Sequence, residues 1–281
     1  ALIRNHPADL YVSVHPLANS FLLRALGNER PPFVTVVTDL VTTHALWYDR
    51  RADLILLPTE LARQRALAYG MAPERLRVVG QPIAERYAAP PGDKRALRRK
   101  LGWPEEGMIV LTVGGGEGMG PLGETARAIA ASGLNLCLIV VAGRNEKLRA
   151  ELEAEAWPIP TRIYGFTRQM PEFMRAADVL VTKAGPGTIA EAMAAGLPLI
   201  LYARLPGQED GNVVYVLRKR AGVWAPRPDR VVRTLRRWVE NPAARARVAE
   251  NSRRAARPRA SRAIARTLGA LLGLVEEAPQ P

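Results

Sequence analysis

The sequence predicts an α/β protein built from two doubly wound parallel sheets, and three observations carry this prediction. Apolar segments of about four to eight residues alternate with segments of helical periodicity along most of the chain. These segments are continuous apolar runs, which are typical of parallel strands covered on both faces. A stretch rich in proline, glycine and charge interrupts the alternation after residue 80 and indicates a boundary between two units.

The first series of segments predicts strands and helices in turn. Helices are expected in ANSFLLRALG and TELARQRALAYG, each closed by a glycine, Gly27 or Gly70, at the position that favours this residue. The chain opens in ALIRNHPADLYVSVHP, which resembles a helix end followed by a strand, so we expect this unit to lack its first elements. The strands are expected in DLYVSVH, PFVTVVT, ADLILLP and RLRVVG.

The second series begins after the break. Its strands are expected in MIVLTVGG, LNLCLIVVAG, TRIYGF, DVLVTKAG, LPLILY and AGVWA, with helices between them and two or three helices in the arginine-rich end. The predicted organisation is the remainder of an N-terminal Rossmann-like domain (1–85), a linker with one helix near 93–101 (86–105), a C-terminal Rossmann-like domain (106–250), and a helix that packs back before a frayed tail (251–281).

Composition limits the function classes. The single cysteine, Cys137, excludes a disulfide framework, and no apolar stretch reaches the roughly 20 residues of a membrane-spanning helix. The 281 residues carry 40 Lys and Arg against 27 Asp and Glu, and thirteen arginines but only three acids lie between Arg227 and Arg266. This excess favours an anionic lipid surface as a partner, with nucleic acid a minor alternative, although a solvated helix surface is equally compatible with it.

A glycine-rich loop follows the first strand of the second series. Ligands of doubly wound sheets bind beyond the carboxyl ends of the strands, where such loops lie. Glycine permits close approach of the backbone, so amide groups of this loop can face an anion. The spacing matches neither a dinucleotide fingerprint nor a P-loop, and a flexible turn is the alternative. The candidate residues are Gly114, Gly115, Gly116, Glu117 and Gly118.

A second loop with small side chains, Ala-Gly-Pro-Gly, lies between a strand and a helix in VTKAGPGTIAEAMAAGLPLIL (181–201). Its candidate residues are Lys183, Gly185, Pro186, Gly187, Thr188 and Glu191. A helix is expected from Thr188, and Thr188-x-x-Glu191 fits a capping box, which is the structural interpretation of Glu191. The functional interpretation is that loop amides hold a diphosphate and Glu191 accepts hydrogen bonds from a ribose diol. Lys183 is then either a surface lysine or a cation that neutralises phosphate.

Further candidates follow three other strands. Gln208, Glu209 and Asn212 combine carboxylate and amide groups, which suit sugar hydroxyls, although a polar N-cap turn is the alternative. Gly165 and Phe166 could present a planar base with a surface, and Arg144 could stack on it or reach a phosphate, but Phe166 is equally compatible with an ordinary core position. Together these loops predict a nucleotide-sugar site. The chain has no D-x-D motif and no His/Cys cluster, so we expect no cofactor, no metal and metal-independent chemistry.

These motifs occur together in one known family. GGGEGMGP, AGRN, the GF…QM pair, TKAGPGTIAEA, GLP and PGQEDGN resemble monogalactosyldiacylglycerol synthases, and SVHPL, VTVVTDL and T-x-H-x-x-W extend the likeness upstream, from residue ~9 to ~225. The resemblance implies the GT-B fold, in which two Rossmann-like doubly wound sheets face a cleft, with the N-terminal sheet truncated here. It also implies an inverting glycosyltransferase.

The resemblance also implies a role for each motif. Gly165 and Phe166 would contact uracil, Glu191 the ribose, and Gly114–Gly116 with Gly185–Thr188 the diphosphate of a UDP-hexose donor. Gln208, Glu209 and Asn212 would hold the hexose. The N-terminal unit would receive diacylglycerol from an anionic membrane, which implies a peripheral protein on the cytoplasmic side of a membrane. Leu46, Trp47 and Tyr48 are candidates for touching lipid, or they cover the domain cleft.

The sequence departs from the family at the catalytic base. The family carries a glycine-rich loop with a histidine near the start of its N-terminal domain, and nothing in this sequence matches it. His44 or Asp39 could assist deprotonation of the acceptor, but each is equally suited to a structural role, and no base is assigned.

The function implied is transfer of galactose from UDP-galactose to 1,2-diacylglycerol with inversion, which forms monogalactosyldiacylglycerol. Three alternatives remain from sequence. The donor could be UDP-glucose. The chain could be a different enzyme of this fold, such as a UDP-N-acetylglucosamine 2-epimerase or the peptidoglycan N-acetylglucosaminyltransferase. It could also be a truncated, non-catalytic remnant that binds UDP or membranes.

Overall fold

The computed structural model describes residues 6–90, 92–116 and 120–276. These residues form two compact units, the first made of 6–85 with 257–276 and the second of the described part of 86–256. Each unit is a parallel sheet combined with helices, which confirms the predicted fold class. Within the described ranges, no helix combines the length and the apolar character needed to cross a bilayer.

The first unit is built on a four-stranded parallel sheet whose spatial order follows the sequence. Its strands are β1 (Tyr11–Ser13), β2 (Phe33–Val36), β3 (Leu54–Leu57) and β4 (Leu76–Val78). Its helices are α1 (Pro16–Leu26), α2 (Glu60–Ala68) and α11 (Ala260–Leu271), with short 3₁₀ turns at Ala45–Trp47 and Pro73–Arg75.

Both faces of this sheet are covered because its strands are apolar on both sides. Side chains of β2 and β3 alternate between two clusters, one shared with α1 and α2 and the other with α11. Ile264 of α11 packs against Val34 and Leu56, and the Ser261 hydroxyl donates to the Ile83 carbonyl at 2.6 Å. Helix α11, the last helix in the described residues, therefore completes the first unit.

The second unit is built on a six-stranded parallel sheet. Its strands are β5 (Met108–Val113), β6 (Leu136–Val141), β7 (Thr161–Tyr164), β8 (Val179–Lys183), β9 (Leu199–Ala203) and β10 (Gly222–Trp224). Its helices are α3 (Lys94–Lys100), α4 (Leu122–Ala130), α5 (Glu146–Glu153), α6 (Met170–Ala176), α7 (Pro186–Ala194), α8 (Asp210–Arg218), α9 (Pro228–Glu240) and α10 (Pro242–Ala255), and a 3₁₀ turn spans Glu85–Tyr87.

The order of the second sheet is β10-β9-β8-β5-β6-β7. The chain moves outward from β5 to β7, returns to place β8 beside β5, and moves outward again in the other direction. This is the doubly wound Rossmann order, and β5 and β8 flank its switch point. The loops after these two strands leave the sheet in opposite directions, so their amides border one crevice at the carboxyl edge.

The predicted linker at 86–105 differs from the structure, because these residues fold as part of the second unit. Helix α3 contributes Arg98, which is almost fully buried and pairs with Asp178 at 2.7 Å. Lys94 reaches the same carboxylate at 2.6 Å, and Trp103 packs against Phe173. The segment has no apolar strand, and it is attached by these charge pairs, about 80 residues apart in sequence, together with the packing of Trp103.

The predicted boundary at residue 250 also differs from the structure. Helix α10 continues through this position to Ala255, and the division between the units falls after Ala256. The buried Ser252 explains the continuity, because its hydroxyl donates to the Leu197 carbonyl at 2.6 Å and so ties the end of α10 to the second unit.

Candidate functional site

The glycine loop after β5, whose described residues are Gly114–Gly116, is hydrogen-bonded to the loop after β6. The amide of Arg144 donates to the carbonyl of Gly116 at 2.8 Å. Gly143 has a φ of +64°, and a Cβ at this position would lie 2.4 Å from the Gly116 carbonyl oxygen. The two loops can therefore meet only because residue 143 has no side chain. Two further candidates of this loop, Glu117 and Gly118, lie outside the described residues.

Lys183, the last residue of β8, lies across the glycine loop. A Cβ on Gly115 would approach the Cε atom of Lys183 to 3.0 Å, and Gly115 has a φ of +77°. The Lys183 ammonium lies 2.7 Å from the carboxylate of Glu209, whose side chain is only 4% exposed. The other carboxylate oxygen of Glu209 accepts from the amide of Leu205 at 2.9 Å. This buried pair joins the loops after β5, β8 and β9.

Asn212 connects the same region from α8. Its Nδ2 donates to the carbonyl of Ala184 at 2.9 Å, directly after β8. Its Oδ1 is buried and has no hydrogen-bond partner within the described part of the chain. An unsatisfied buried acceptor carries a desolvation cost, so this oxygen is suited to receive a hydrogen bond from a ligand hydroxyl. Gln208, in contrast, is exposed on the preceding loop.

Helix α7 begins two residues earlier than predicted, and the capping-box interpretation is wrong. Its N-cap is Gly185 and its first residue is Pro186, a residue favoured at that position because its fixed φ suits a helix start. Thr188 therefore lies inside the first turn, and no side chain caps the helix. The amides of the first helical turn have no partners within the helix, which makes this end a donor site for an anion.

Glu191 lies in the second turn of α7, about 7.5 Å along the axis from the helix start. Its carboxyl group is hydrogen-bonded to Tyr87 rather than to the backbone of its own helix. Burial raises the pKa of Glu191 to about 7, against the smaller opposing effects of Tyr87 and Arg86. A carboxyl group with a pKa near neutral, on the helix that follows the loop after β8, is a candidate binding residue.

Phe166, after β7, is half exposed and is not part of a core. The guanidinium of Arg144 lies 4.9 Å from the centre of its ring, a cation–π geometry. Arg144 also approaches Gly116, since its NH1 atom lies 3.8 Å from where a Cβ on that glycine would be. Arg144 thus bridges the flat exposed ring and the glycine loop, while Gly165 packs under Arg149.

Three further residues contribute to this region beyond those predicted from the sequence. Tyr87 and Arg86 lie in the segment predicted as a linker, and they surround Glu191. Gly143 was not singled out, although it permits the contact between two loops. Only the AGRN motif pointed towards Gly143, and no local pattern distinguished Tyr87.

The first unit uses its candidate residues structurally. The Nδ1 atom of His44 accepts from the amide of Leu46 at 3.1 Å, so its lone pair is already engaged. Asp39 accepts from the indole N–H of Trp47 at 2.7 Å. Trp47 is buried and belongs to the core of the first unit, which contradicts its proposed contact with lipid. Leu46 is exposed, and Tyr48 packs against Tyr69.

The site has main-chain donors, two cations and two carboxyl groups. Amides of the loops after β5 and β8, with Lys183 and Arg144, suit a phosphate-bearing ligand, and Glu191, Glu209 and Asn212 suit hydroxyl groups. No group of three or more His, Cys, Asp and Glu side chains that could hold a metal occurs among residues 6–90, 92–116 and 120–276.

Solved structures share this fold at low sequence identity. MnaA from S. aureus, solved with UDP, has a TM-score of 0.69 at 15% identity, covering 99% of this chain and 78% of that one. MurG from Acinetobacter baumannii has a TM-score of 0.64 at 16% identity, covering 96% and 75%. HepE from Anabaena, solved with UDP and glucose, has a TM-score of 0.60 at 17% identity, covering 95% and 79%. The fold is that of the GT-B glycosyltransferases.

Family models and curated relatives show which family of GT-B glycosyltransferases the chain matches. A model for the C-terminal domain of glycosyltransferase family 28 matches residues 109–265, and one for monogalactosyldiacylglycerol (MGDG) synthase matches residues 1–83. A probable MGDG synthase 2 from Oryza sativa subsp. japonica is 41% identical over 84% of this chain and 53% of its own length. MGDG synthase 1 from Arabidopsis thaliana is 36% identical over 99% and 54%.

The chain belongs to glycosyltransferase family 28 and, within it, to the MGDG synthase family. It spans about half the length of the curated relatives it matches.

Replacing Lys183 tests the buried ion pair. We expect Lys183→Met to lower the free energy of unfolding by about 3 kcal/mol, because it leaves the carboxylate of Glu209 buried without its cation. The double variant Lys183→Met/Glu209→Gln should recover most of this loss, since no buried charge remains. Urea unfolding measures both. A double variant that loses as much as the two single variants added together would show that the pair contributes nothing.

A matched pair of glycine substitutions tests the contact between the loops. Gly143 and Gly133 both have positive φ, near +64° and +70°, but a Cβ on Gly133 meets nothing within 4 Å. Gly133→Ala should cost about 1 kcal/mol of unfolding free energy from backbone strain alone. Gly143→Ala should cost clearly more and should also weaken UDP binding, because it displaces the carbonyls of Gly115 and Gly116. Equal effects of the two variants on UDP affinity, measured by calorimetry, would contradict the role of this contact.

Proposed function

We propose that this chain contains the donor site of an inverting galactosyltransferase that moves galactose from UDP-galactose to 1,2-diacylglycerol. One observation carries the proposal: the glycine loop and the uncapped start of α7 flank the switch point of the second sheet, and Lys183 lies beside both. Membership of the MGDG synthase family supports this choice of donor and acceptor, and two structures of the same fold contain UDP.

The diphosphate occupies the crevice between Gly114–Gly116 and Gly185–Thr188. Amides of the glycine loop and the amides of Gly187 and Thr188 donate to its oxygens, and the start of α7 adds the positive end of a helix dipole, roughly half an elementary charge. Lys183 is within reach from the end of β8 and is held there by Glu209. Arg144 adds a second cation from the other side of the glycine loop.

The remaining groups recognise the neutral parts of the donor. Uracil stacks near Phe166, beside Gly165, where an exposed ring already carries the guanidinium of Arg144. The ribose diol donates hydrogen bonds to the carboxylate of Glu191. These hydrogen bonds offset the repulsion between this carboxylate and the nearby diphosphate. The hexose hydroxyls meet Asn212, Glu209 and Gln208, of which Asn212 offers a buried acceptor.

In the proposed reaction, the free hydroxyl of diacylglycerol attacks the anomeric carbon from the face opposite UDP. The bond from this carbon to the diphosphate oxygen breaks, the new glycosidic bond forms with inversion, and UDP leaves as an anion. The loop amides, Lys183 and Arg144 stabilise the charge that develops on the leaving diphosphate, which is the role proposed here in place of a metal ion. No residue of this chain is assigned as the base that takes the acceptor proton.

The acceptor side is proposed to be a membrane surface met peripherally, on the cytoplasmic side. Helix α9 buries Val231, Leu235 and Trp238 and exposes its arginines to solvent, which suits anionic headgroups. In the first unit, Leu17 and Phe21 lie one turn apart on α1 and are 58% and 72% exposed. Exposed apolar side chains of this size suit contact with lipid, and nucleic acid is not proposed as a partner.

Glu191 provides a specific test of donor binding. We expect Glu191→Gln to weaken UDP-galactose binding about tenfold, the loss of one good charge-assisted interaction. The loss should be smaller with the 2′-deoxyribose analogue of the donor, which lacks one of the hydroxyls. Affinity of the unsubstituted protein should rise with pH through about 7, because the ligand hydroxyls bind the ionised carboxylate.

Calorimetry from pH 6 to 8 measures these effects, with Glu151→Gln, an exposed acid on α5, as the matched control. The sign follows from the raised pKa, since without ligand the protonated form is favoured below about 7. The role of Glu191 would be contradicted if Glu191→Gln lost the same affinity for UDP-galactose and for its 2′-deoxyribose analogue. It would also be contradicted if the affinity of Glu191→Gln still rose with pH.

The activity itself is tested with the full-length gene product. Radiolabelled UDP-galactose and vesicles containing diacylglycerol and an anionic lipid should yield monogalactosyldiacylglycerol, and raising the salt concentration should reduce the yield. UDP-glucose in a parallel reaction distinguishes the donor sugar. Absence of glycolipid with both donors, despite measurable UDP binding, would reduce the proposal to nucleotide binding alone.

A further inference from the structure

The second unit contains a cavity at the edge of its sheet opposite to the donor loops. It has a volume of about 490 Å³, within the range of small-molecule sites. Asp178, which immediately precedes β8, and Leu197 and Pro198, which precede β9, form part of its wall. It therefore lies at the amino ends of these strands, and we call it the amino-edge cavity.

The lining of the amino-edge cavity is cationic. Four basic side chains contribute to its wall, Lys94, Arg175, Arg245 and Arg253, against one acid, Asp178. The rest of the wall is mainly small and apolar, with alanines of α7 and α10. Such a wall provides several hydrogen-bond donors in one space.

Two of these arginines have donors that the described residues do not use fully. Arg245 is half-buried, and its bonds go to the sulfur of Met108 and the carbonyl of Trp238, with no carboxylate partner in the described ranges. The Nε atom of Arg175 is buried without a hydrogen-bond partner among those residues. A buried guanidinium N–H without an acceptor is costly, so an anion in the cavity would remove this cost.

The local charge balance remains positive when the acids paired with the lining cations and the buried Arg98 are counted. Glu172 pairs with Arg175 at 3.7 Å and Glu250 with Arg253 at 2.9 Å, while the buried Arg98 pairs with Asp178. Five cations therefore face three acids. The carboxyl ends of α6 and α7 and the amino end of α10 together add about half a negative charge, which leaves a surplus of more than one positive charge.

We propose that the amino-edge cavity binds a phosphate monoester, with Arg175 and Arg245 donating to its oxygens and Arg253 closing the solvent side. A dianionic phosphate matches both the surplus charge and the planar donor groups of arginine. The site is separate from the proposed diphosphate site, because the two lie at opposite ends of the same strands. The phosphate can belong to a soluble molecule or to a lipid headgroup.

Calorimetric titration with inorganic phosphate and glycerol 3-phosphate tests this site, with UDP present in excess to occupy the donor loops and again without UDP. Binding should fall at least about tenfold in Arg245→Gln and in Arg253→Glu. Arg253 is exposed, so its replacement tests the site even if Arg245→Gln unfolds the protein. Arg247→Glu is the matched control, since Arg247 lies exposed on the same helix but does not line the cavity.

Sedimentation with vesicles of phosphatidylcholine, with or without phosphatidic acid, distinguishes the two sources. Binding of the soluble phosphates with the expected variant pattern supports the site with a soluble ligand. Binding only to vesicles with phosphatidic acid, lost in Arg253→Glu but kept in Arg247→Glu, supports a lipid headgroup. Equal behaviour of Arg253→Glu and Arg247→Glu in all assays, or no binding in any of them, overturns the proposal.

Discussion

The site depends on a constraint of sheet topology. Because β8 returns to lie beside β5, two loops that are separated by about 70 residues in sequence border the same crevice. The helix after the glycine loop begins only at Leu122, whereas the helix after β8 follows its strand closely and has no capping side chain, so its first-turn amides can donate to an anion. Parallel pairing of β5 with β8 brings the two sets of amides to one edge, and Gly143 allows the neighbouring loop to pack against them.

Buried charge then fixes the geometry of these loops. Lys183 and Glu209 form a pair that is costly to desolvate, yet it joins three loops and also receives the amide of Leu205. Such a pair adds little to stability compared with an apolar contact of the same size. Its contribution is to hold the two side chains and their loops in a defined position. It keeps an ammonium group beside the glycine loop before any ligand is bound. For Glu191, in contrast, the hydrogen bond of Tyr87 and the charge of Arg86 offset burial only in part, and burial raises its pKa to about 7.

The sequence predicted the fold well, because continuous apolar runs separated by glycine turns indicate parallel strands whatever their order. It could not predict that 86–105 joins the second unit, since the contacts of Arg98 and Lys94 with Asp178 link distant segments through charge rather than periodicity. The helix start at Pro186 was missed because Thr188-x-x-Glu191 satisfies a local capping pattern, while a tertiary partner, Tyr87, engages the glutamate. The burial of Trp47 in the core could not be predicted, because aromatic residues in a loop give no sign of whether they face lipid, a domain cleft or the core.

The central claim is that main-chain amides at the switch point hold a diphosphate. A crystal structure of this protein with UDP tests it most directly. We expect both phosphate groups to lie within hydrogen-bonding distance of amides in Gly114–Gly116 and of the Gly187 and Thr188 amides, with the ribose hydroxyls on Glu191. Phosphate density at any other place, or ribose hydroxyls directed away from Glu191, would contradict it.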